Sequence, residues 1–285
     1  MTDGTVDGGA TAPRTNSTRP KTILTFRHSA WVRATHWIWV VCLTILLMSG
    51  MQIFNAYPAL NFGQATTYNK GPLVIGTNDA QTKGITTLFG HDFDTTGVLG
   101  LSKGPDGPVA IAFPQWATLP ANQDLATARR WHFLFAWLLV INGFVYLAYS
   151  FVSGHIGRDI WPRRRELRNI PHDIVNHLKL RFGHGEDARH YNVLQKITYA
   201  VLLFGVLPVL VLAGIEMSPG MDAVLPWLRD IFGGRQSARS IHFLMATALV
   251  LFVIVHVVMV VLSGLFNNLR SMITGRYRIE EEPHA

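Results

Sequence analysis

Four long apolar runs, separated by polar segments, dominate the pattern of this chain. They cover about residues 31–54, 131–153, 193–215 and 241–265. Because a helix needs roughly 20 apolar residues to cross a bilayer, each run predicts a transmembrane helix. The first run is too long for a signal-peptide core and no small-residue cleavage site follows it closely, so we expect it to stay uncleaved. The pattern predicts an all-α integral membrane protein, a four-helix bundle.

The polar segments predict the domain organisation. Residues 1–26, rich in Gly, Thr and Pro, read as a disordered tail, 27–276 as the membrane domain and 277–285 as a second tail. A connection of about seventy-five residues, 57–130, joins the first two spans. A loop of that length is usually functional, so it either caps the bundle and docks a soluble partner or is a surface loop without one.

The connection between the second and third spans has a different character. A basic run follows the second span, and apolar residues then recur at helical spacing among charged ones: Ile174, Val175, Leu178 and Phe182. This pattern predicts an amphipathic helix lying on the membrane surface, where it would anchor the chain to lipid headgroups.

The distribution of Lys and Arg predicts the orientation. Fifteen of them lie in the two tails and the middle connection, against eight in the long connection and the short one after the third span. Since cytoplasmic loops carry the excess of positive charge, both termini are expected in the cytoplasm and the long connection is expected to be exported. The net charge of +7 is then explained by topology and anionic lipid headgroups, and not by nucleic acid.

Four histidines lie inside the apolar runs, where ionisable side chains are costly and usually functional. His132 and His242 begin spans that enter from the exported side, so they share a depth. His256 lies fourteen residues after His242, about 21 Å deeper on nearly the same helix face. His36, one turn into the first span from the cytoplasm, reaches a comparable level. The spacing therefore predicts two coplanar pairs.

A pair of histidines at each level suits haem iron, which takes axial ligands from two facing helices. Zinc usually needs three or four ligands, and the single cysteine, Cys42, provides no Cys/His cluster. We therefore expect two haem groups, each held by two histidines. His155, at the cytoplasmic edge of the second span, is the rival to His36.

Arginines stand one turn before three of these histidines. Their planar guanidinium groups would pair with haem propionates at the bilayer boundary, or would anchor the helix ends to lipid headgroups. Both roles stay open for the four candidates, which are Arg33, Arg129, Arg130 and Arg239.

The chain resembles the bacterial b-type cytochromes that serve as membrane subunits of nickel-iron hydrogenases, formate dehydrogenases and thiosulfate reductases. The resemblance is carried by Arg33-Ala34-Thr35-His36-Trp37, Ser49-Gly50, His132, Tyr191-Asn192-Val193-Leu194-Gln195-Lys196 and the pair His242 and His256. It implies two haem b groups, with His132 and His242 near the exported face and His36 and His256 near the cytoplasm. The long first connection is similar to that of cytochromes associated with exported molybdopterin oxidoreductases.

By this resemblance the protein would lie in the bacterial inner membrane and transfer electrons between an exported redox subunit and the quinone pool. The subunit would be either molybdopterin-dependent or hydrogenase-like. A quinone site is expected beside the cytoplasmic haem, with Asn192, Tyr199 and His155 as candidates.

Two other function classes compete with the electron-transfer role. A stand-alone haem oxidoreductase acting on a small molecule such as superoxide is the alternative, because basic residues at the exported face would attract an anion. The chain has no HExxH motif, no closely spaced histidine boxes and no paired broken helices, which argues against a membrane protease or a transporter.

Overall fold

The computed structural model describes residues 21–67, 70–104, 107–162, 165–179 and 193–281. Four helical segments in these ranges are long and apolar enough to cross a membrane: Ala30–Asn55, Leu125–Val152, Val193–Glu216 and Arg235–Leu262. The four predicted spans are confirmed. Two of them begin about six residues earlier than the apolar runs suggest, so His132 and His242 each lie seven residues into their helices.

The described helices are α1 Ala30–Asn55, α2 Leu125–Val152, α3 Ile170–Leu178, α4 Val193–Val201, α5 Leu207–Glu216, α6 Pro219–Val224, α7 Trp227–Phe232, α8 Arg235–Leu262 and α9 Leu265–Thr274. The strands are β1 Lys21–Phe26, β2 Ala59–Leu60, β3 Leu73–Thr77, β4 Gly84–Leu88, β5 His91–Asp94, β6 Leu101–Gly104, β7 Gly107–Ala110 and β8 Arg276–Glu281. The 3-10 turns are Gln115–Ala117 and Glu166–Asn169, and the π turns are Ile156–Ile160 and Leu202–Val206.

Local chemistry sets the helix boundaries. Ser29 caps α1 by accepting a hydrogen bond from the Val32 N–H at 3.3 Å, and Asp124 caps α2 by accepting from Thr127 at 3.0 Å. In the third span the π turn Leu202–Val206 precedes Pro208, whose missing N–H interrupts the helical hydrogen-bond ladder.

The expectation of an all-α fold is wrong for the connection between the first two spans. Its described residues form the antiparallel sheet β2-β3-β4-β5 and the hairpin β6-β7, which we call the strand cap (57–67, 70–104 and 107–124). A small core joins this cap to the bundle, because Phe54, Leu60, Ile75 and Ala112 are buried together and Phe243 packs against them. Alternation of small, polar and β-branched residues favours these strands, although the connection contains no long apolar run.

Both ends of the described chain meet on one side of the bundle. Strand β1 pairs antiparallel with β8, and the Arg27 guanidinium lies 4.5 Å from the centre of the Tyr277 ring. Lys21–Phe26, assigned to the tail by sequence, thus form a strand. An even number of spans requires this same-side placement, but which side faces the cytoplasm stays a prediction. Helix α3 lies where the amphipathic helix was expected, with Ile174 and Val175 exposed; Phe182 lies outside the described residues.

The long helices pack most closely as two pairs. Helix α1 runs along α2, and α5 runs along α8. Within the first pair, the buried side-chain amide of Asn142 donates a hydrogen bond of 2.9 Å to the Thr35 carbonyl, next to His36. Each candidate site described below draws one histidine from α1 or α2 and one from α8.

Candidate functional site

Two pairs of imidazole rings face each other between the helices. His36 on α1 and His256 on α8 have ring centres 6.4 Å apart, and His132 on α2 and His242 on α8 have ring centres 6.1 Å apart. These are the pairs that depth and helix face predicted. The second histidine of each pair comes from α8, so this helix contributes to both sites.

The ring separations suit a metal ion between the imidazoles. A bond from a metal to an imidazole nitrogen is about 2 Å long, so rings on opposite sides of one ion have centres roughly 6 Å apart. In the described ranges no group of three or more His, Cys, Asp or Glu could hold a metal ion. A donor set of two imidazoles fits an ion that brings further ligands of its own, as haem iron does.

In the second pair, His132 and His242, hydrogen bonds determine which ring nitrogen is available to a metal. The Leu210 carbonyl can only accept, so His242 Nδ1, 2.8 Å away, carries the proton. Ser49 Oγ donates to the Ile45 carbonyl at 2.7 Å and therefore accepts from His132 Nδ1 at 3.0 Å. In both rings Nε2 keeps its lone pair for a metal, which is the usual outer-shell arrangement of ligating histidines.

Glycines lie directly against these two rings. A Cβ added at Gly50 would stand 3.4 Å from His132 Cε1, and one at Gly214 would stand 3.2 Å from His242 Cε1. Gly50 belongs to the Ser49-Gly50 element of the resemblance, and Gly214 is one of the small residues of the third span. Both positions leave space for the ring beside the helix backbone.

The first pair, His36 and His256, has different surroundings. The Phe252 ring stacks on His256 at 5.7 Å, and Trp37 meets His36 edge to face at 5.5 Å. On α1, three buried nitrogens have no hydrogen-bond partner, namely Arg33 Nε, His36 Nδ1 and Trp39 Nε1. Buried polar atoms are normally paired, so Arg33 Nε and Trp39 Nε1 are each able to donate to an acceptor-bearing group such as a haem propionate.

The four arginines are placed differently from one another. Arg33 donates to the Ile273 carbonyl, and its buried Nε atom has no hydrogen-bond partner among the described residues. Arg239 donates to the carbonyls of Tyr57 and Ala59, and it lies over the rings of Phe54 and Tyr57. Arg129 and Arg130 are exposed, with Arg129 lying 5.9 Å from the Phe133 ring centre. Arg239 therefore joins the strand cap to α8.

The quinone candidates lie around the first pair. The Tyr199 ring is 6.2 Å from Phe252, which in turn stacks on His256. The His155 ring is 6.4 Å from Tyr146, which contacts Trp39 at 5.4 Å. Asn192 lies outside the described residues.

A further histidine, His28, lies just ahead of α1 and close to this end of the bundle. Burial, together with the positive charge of Arg27 and the neighbouring His36, His155 and Arg33, lowers the pKa of His28 to about 4. The side chain is therefore neutral at pH 7, and the group adds no charge to the first pair.

Sequence reasoning missed the groups that hold the rings. The role of Ser49 depends on a contact with a residue 83 positions away, and no sequence pattern marks the Leu210 carbonyl or His28. The one available signal was the Ser49-Gly50 dipeptide.

Comparisons with known proteins place the chain beside a family model and one relative. A family model described as "Prokaryotic cytochrome b561" matches residues 27–275. A protein of Azospira oryzae, named "Putative protein-methionine-sulfoxide reductase subunit YedZ1", is 32% identical over 235 residues, which cover 82% of this chain and 90% of that protein. No solved structure matches the chain.

Proposed function

The chain belongs to the prokaryotic cytochrome b561 family, and from this premise we propose that it binds two haem b groups in series across the membrane. Membership makes it a bacterial membrane protein that binds haem b and takes part in electron transport. The assignment of each haem to a histidine pair, and the number of haems, are the proposal. His36 and His256 hold one group, and His132 and His242 hold the other.

The observation that carries this proposal is the pair of imidazole separations, 6.4 Å and 6.1 Å. Two independent ring pairs at metal-bridging distance are not required for packing a helix bundle. They recur at positions fourteen residues apart on α8, a rise of about 21 Å. Electrons entering at one end thus have a second carrier site on the way to the other.

Ligation by two histidines favours electron transfer over chemistry on a small molecule at the iron. Haem would supply a one-electron carrier when bound, and two imidazoles of the chain would hold each iron and leave it no free position for a substrate. In His132 and His242 the protein holds Nε2 in place through Nδ1 contacts with Ser49 and with the Leu210 carbonyl. An oxidoreductase that acts directly on superoxide would need an open or displaceable position, so we favour the electron-transfer role.

We infer that the redox partner is a separate subunit on the side of the strand cap, near His132 and His242. The printed name of the Azospira oryzae relative supports a reductase of protein methionine sulfoxide as that partner. Both termini are proposed to be cytoplasmic, as the excess of Lys and Arg predicts. Electrons would be exchanged with quinone beside the first pair, where Tyr199 and His155 lie and where Asn192 is proposed from sequence.

The haem assignment is tested by counting haem in purified variants. Wild-type protein should contain two haems per chain by reduced-minus-oxidised spectra and pyridine haemochrome analysis. His256→Ala and His242→Ala should each retain one haem, from opposite sites, because each removes one axial ligand. His91→Ala, in an exposed strand of the cap, is the matched control and should retain two. Two haems in His256→Ala would refute the pairing.

The electron-transfer role is tested with the wild-type cytochrome and its soluble partner. A tagged chain extracted in mild detergent should co-purify with a soluble oxidoreductase, and a short-chain quinol should reduce its haems. Reoxidation should then depend on that oxidoreductase and its substrate. Turnover of superoxide by the isolated cytochrome, without quinol or partner, would instead establish the stand-alone activity.

A further inference from the structure

A shallow recess lies at the end of the bundle where β1 pairs with β8. It has a volume of about 520 Å³ and is lined by Leu24 of β1, by Arg270 and Thr274 of α9, and by Arg276 of β8. The Thr274 hydroxyl donates to the Arg270 carbonyl at 2.8 Å and accepts from the Arg276 N–H at 3.2 Å. This one residue therefore holds the backbones of both arginines at the same turn.

Helix α9 lies at the membrane boundary. The Trp37 indole donates to the Met272 carbonyl at 3.1 Å, and Arg33 donates to the Ile273 carbonyl. Both donors are in the first two turns of α1, a spanning helix, so the last turn of α9 is at the depth where that helix enters the bilayer. Because α9 begins just after α8 ends, it crosses the end of the bundle from α8 to α1.

One face of α9 is apolar and uncovered. Phe266, Leu269 and Ile273, spaced three and four residues apart, are 86%, 40% and 58% exposed. Residues at this spacing share one helix face. An apolar face on a helix at the boundary is the arrangement of interfacial helices that bury this face among acyl chains.

Arg270 adjoins this face, and Arg276 stands across the recess from it. Both side chains are exposed, and among the described residues neither makes an ion pair with a carboxylate. Two guanidinium groups at one opening attract an anion with several acceptor oxygens, and arginine forks match phosphate in particular. Positive charge beside an exposed apolar face at the boundary is complementary to an anionic lipid.

We propose that this recess binds an anionic phospholipid. Its phosphate lies between Arg270 and Arg276, and an acyl chain lies along Phe266, Leu269 and Ile273. The bound lipid closes the junction of β1, β8 and α9, so it stabilises the end of the bundle at which the candidate quinone site lies. This inference does not depend on the haem assignment.

The test uses the full chain with its haem, delipidated in a neutral detergent. Short-chain phosphatidylglycerol should bind and raise the unfolding temperature, whereas phosphatidylcholine should not. In Arg270→Gln/Arg276→Gln the affinity for phosphatidylglycerol should fall at least about tenfold, because charge-assisted hydrogen bonds are lost. Arg168→Gln, an exposed arginine on the same side, is the control and should bind as wild type does.

A fold control, a second double variant and a phosphate control complete the test. An unchanged haem spectrum shows that Arg270→Gln/Arg276→Gln is folded. If that glutamine variant proves unstable, Arg270→Lys/Arg276→Lys replaces it and should keep part of the affinity for phosphatidylglycerol. Equal binding by the Gln variant and wild type would overturn the proposal. Protection by inorganic phosphate alone would also overturn it, since the site would then bind a free anion and not a lipid.

Discussion

At the scale of single residues, the two histidine pairs are held to different degrees. His132 and His242 each have Nδ1 in a hydrogen bond, whereas His36 Nδ1 is buried without one. An imidazole held at both nitrogens cannot rotate without losing a contact, and outer-shell contacts of this kind change metal affinity about 10- to 100-fold. We therefore expect the pair near the strand cap to hold its rings more rigidly than the other pair.

Gly214→Ala tests how closely α5 approaches His242. The new Cβ would lie 3.2 Å from Cε1 and 3.3 Å from Nδ1, so the ring would have to move by a few tenths of an ångström. Overpacking of this kind costs about 1–3 kcal/mol, and it would act on one site only. The haem held by His132 and His242 should be lost or should change its low-spin electron paramagnetic resonance signal, while the other haem is retained.

Gly205→Ala is the matched control for that substitution. An added Cβ at Gly205 meets nothing within 4 Å, and it lies in the same span. Both haems should bind normally in this variant. If the two alanine variants behave alike, the close contact at Gly214 is not what holds the His242 ring.

The pairing of the four histidines could be predicted from sequence, but the contacts that support their rings could not. The depth and spacing of His242 and His256 follow from a helical rise that every helix shares, so a spacing of fourteen residues already implies one face. The contact of Ser49 with His132 depends instead on how α1 and α2 are rotated against each other. Interhelical rotation is set by packing, which a single sequence does not reveal.

At the scale of elements, the strand cap is held to α8 by hydrogen bonds from two serine side chains. The Ser240 hydroxyl donates to the Asn61 carbonyl at 2.5 Å and accepts from the Asn61 N–H at 3.1 Å. The Ser237 hydroxyl accepts from the Gly63 N–H at 2.8 Å. Ser240 is fully buried and Ser237 nearly so, so these bonds compete little with water.

Removing both hydroxyls should loosen this edge of the cap. Ser237→Ala/Ser240→Ala removes three hydrogen bonds to the backbone of Asn61 and Gly63, and a net loss of about 1 kcal/mol per hydrogen bond gives about 3 kcal/mol. Amide exchange in residues 59–63 should then be roughly 100-fold faster by hydrogen-exchange mass spectrometry. Thr247→Ala, which removes an exposed hydroxyl bonded only within α8, should leave this exchange unchanged.

The cap also shows where element prediction from sequence failed. Strands β4 and β5 are short, and every residue of β5 is exposed, so no apolar run marks them. Strand β4 pairs with β3 and β5 pairs with β4, and the sheet packs on the small core around Ile75, whose members are distant in sequence. The spans, by contrast, follow from local composition alone, which is why all four were located correctly.

At the scale of the whole molecule, the imidazole rings lie between two helix pairs, α1 with α2 and α5 with α8. The first pair of helices is joined by Asn142 and Thr35, and the second is joined by the contact of His242 with the Leu210 carbonyl. Each ring pair bridges the two halves, so a metal held by both imidazoles would cross-link α8 to α1 at one level and to α2 at the other. Haem binding is therefore expected to stabilise the bundle as well as to supply its redox chemistry.

Because β1 pairs with β8, the orientation of the protein in the membrane can be tested at a few positions. Both strands and the middle connection must lie on one side of the membrane, and the strand cap must lie on the other. The positive-inside bias predicts that the cap lies outside. In a Cys42→Ala background, which removes the single buried thiol, Val98→Cys should react with a membrane-impermeant maleimide in intact cells, because Val98 is 67% exposed. Ile23→Cys and Arg168→Cys should react only after permeabilisation, and the reverse pattern would invert the orientation, placing the proposed partner at the cytoplasmic face.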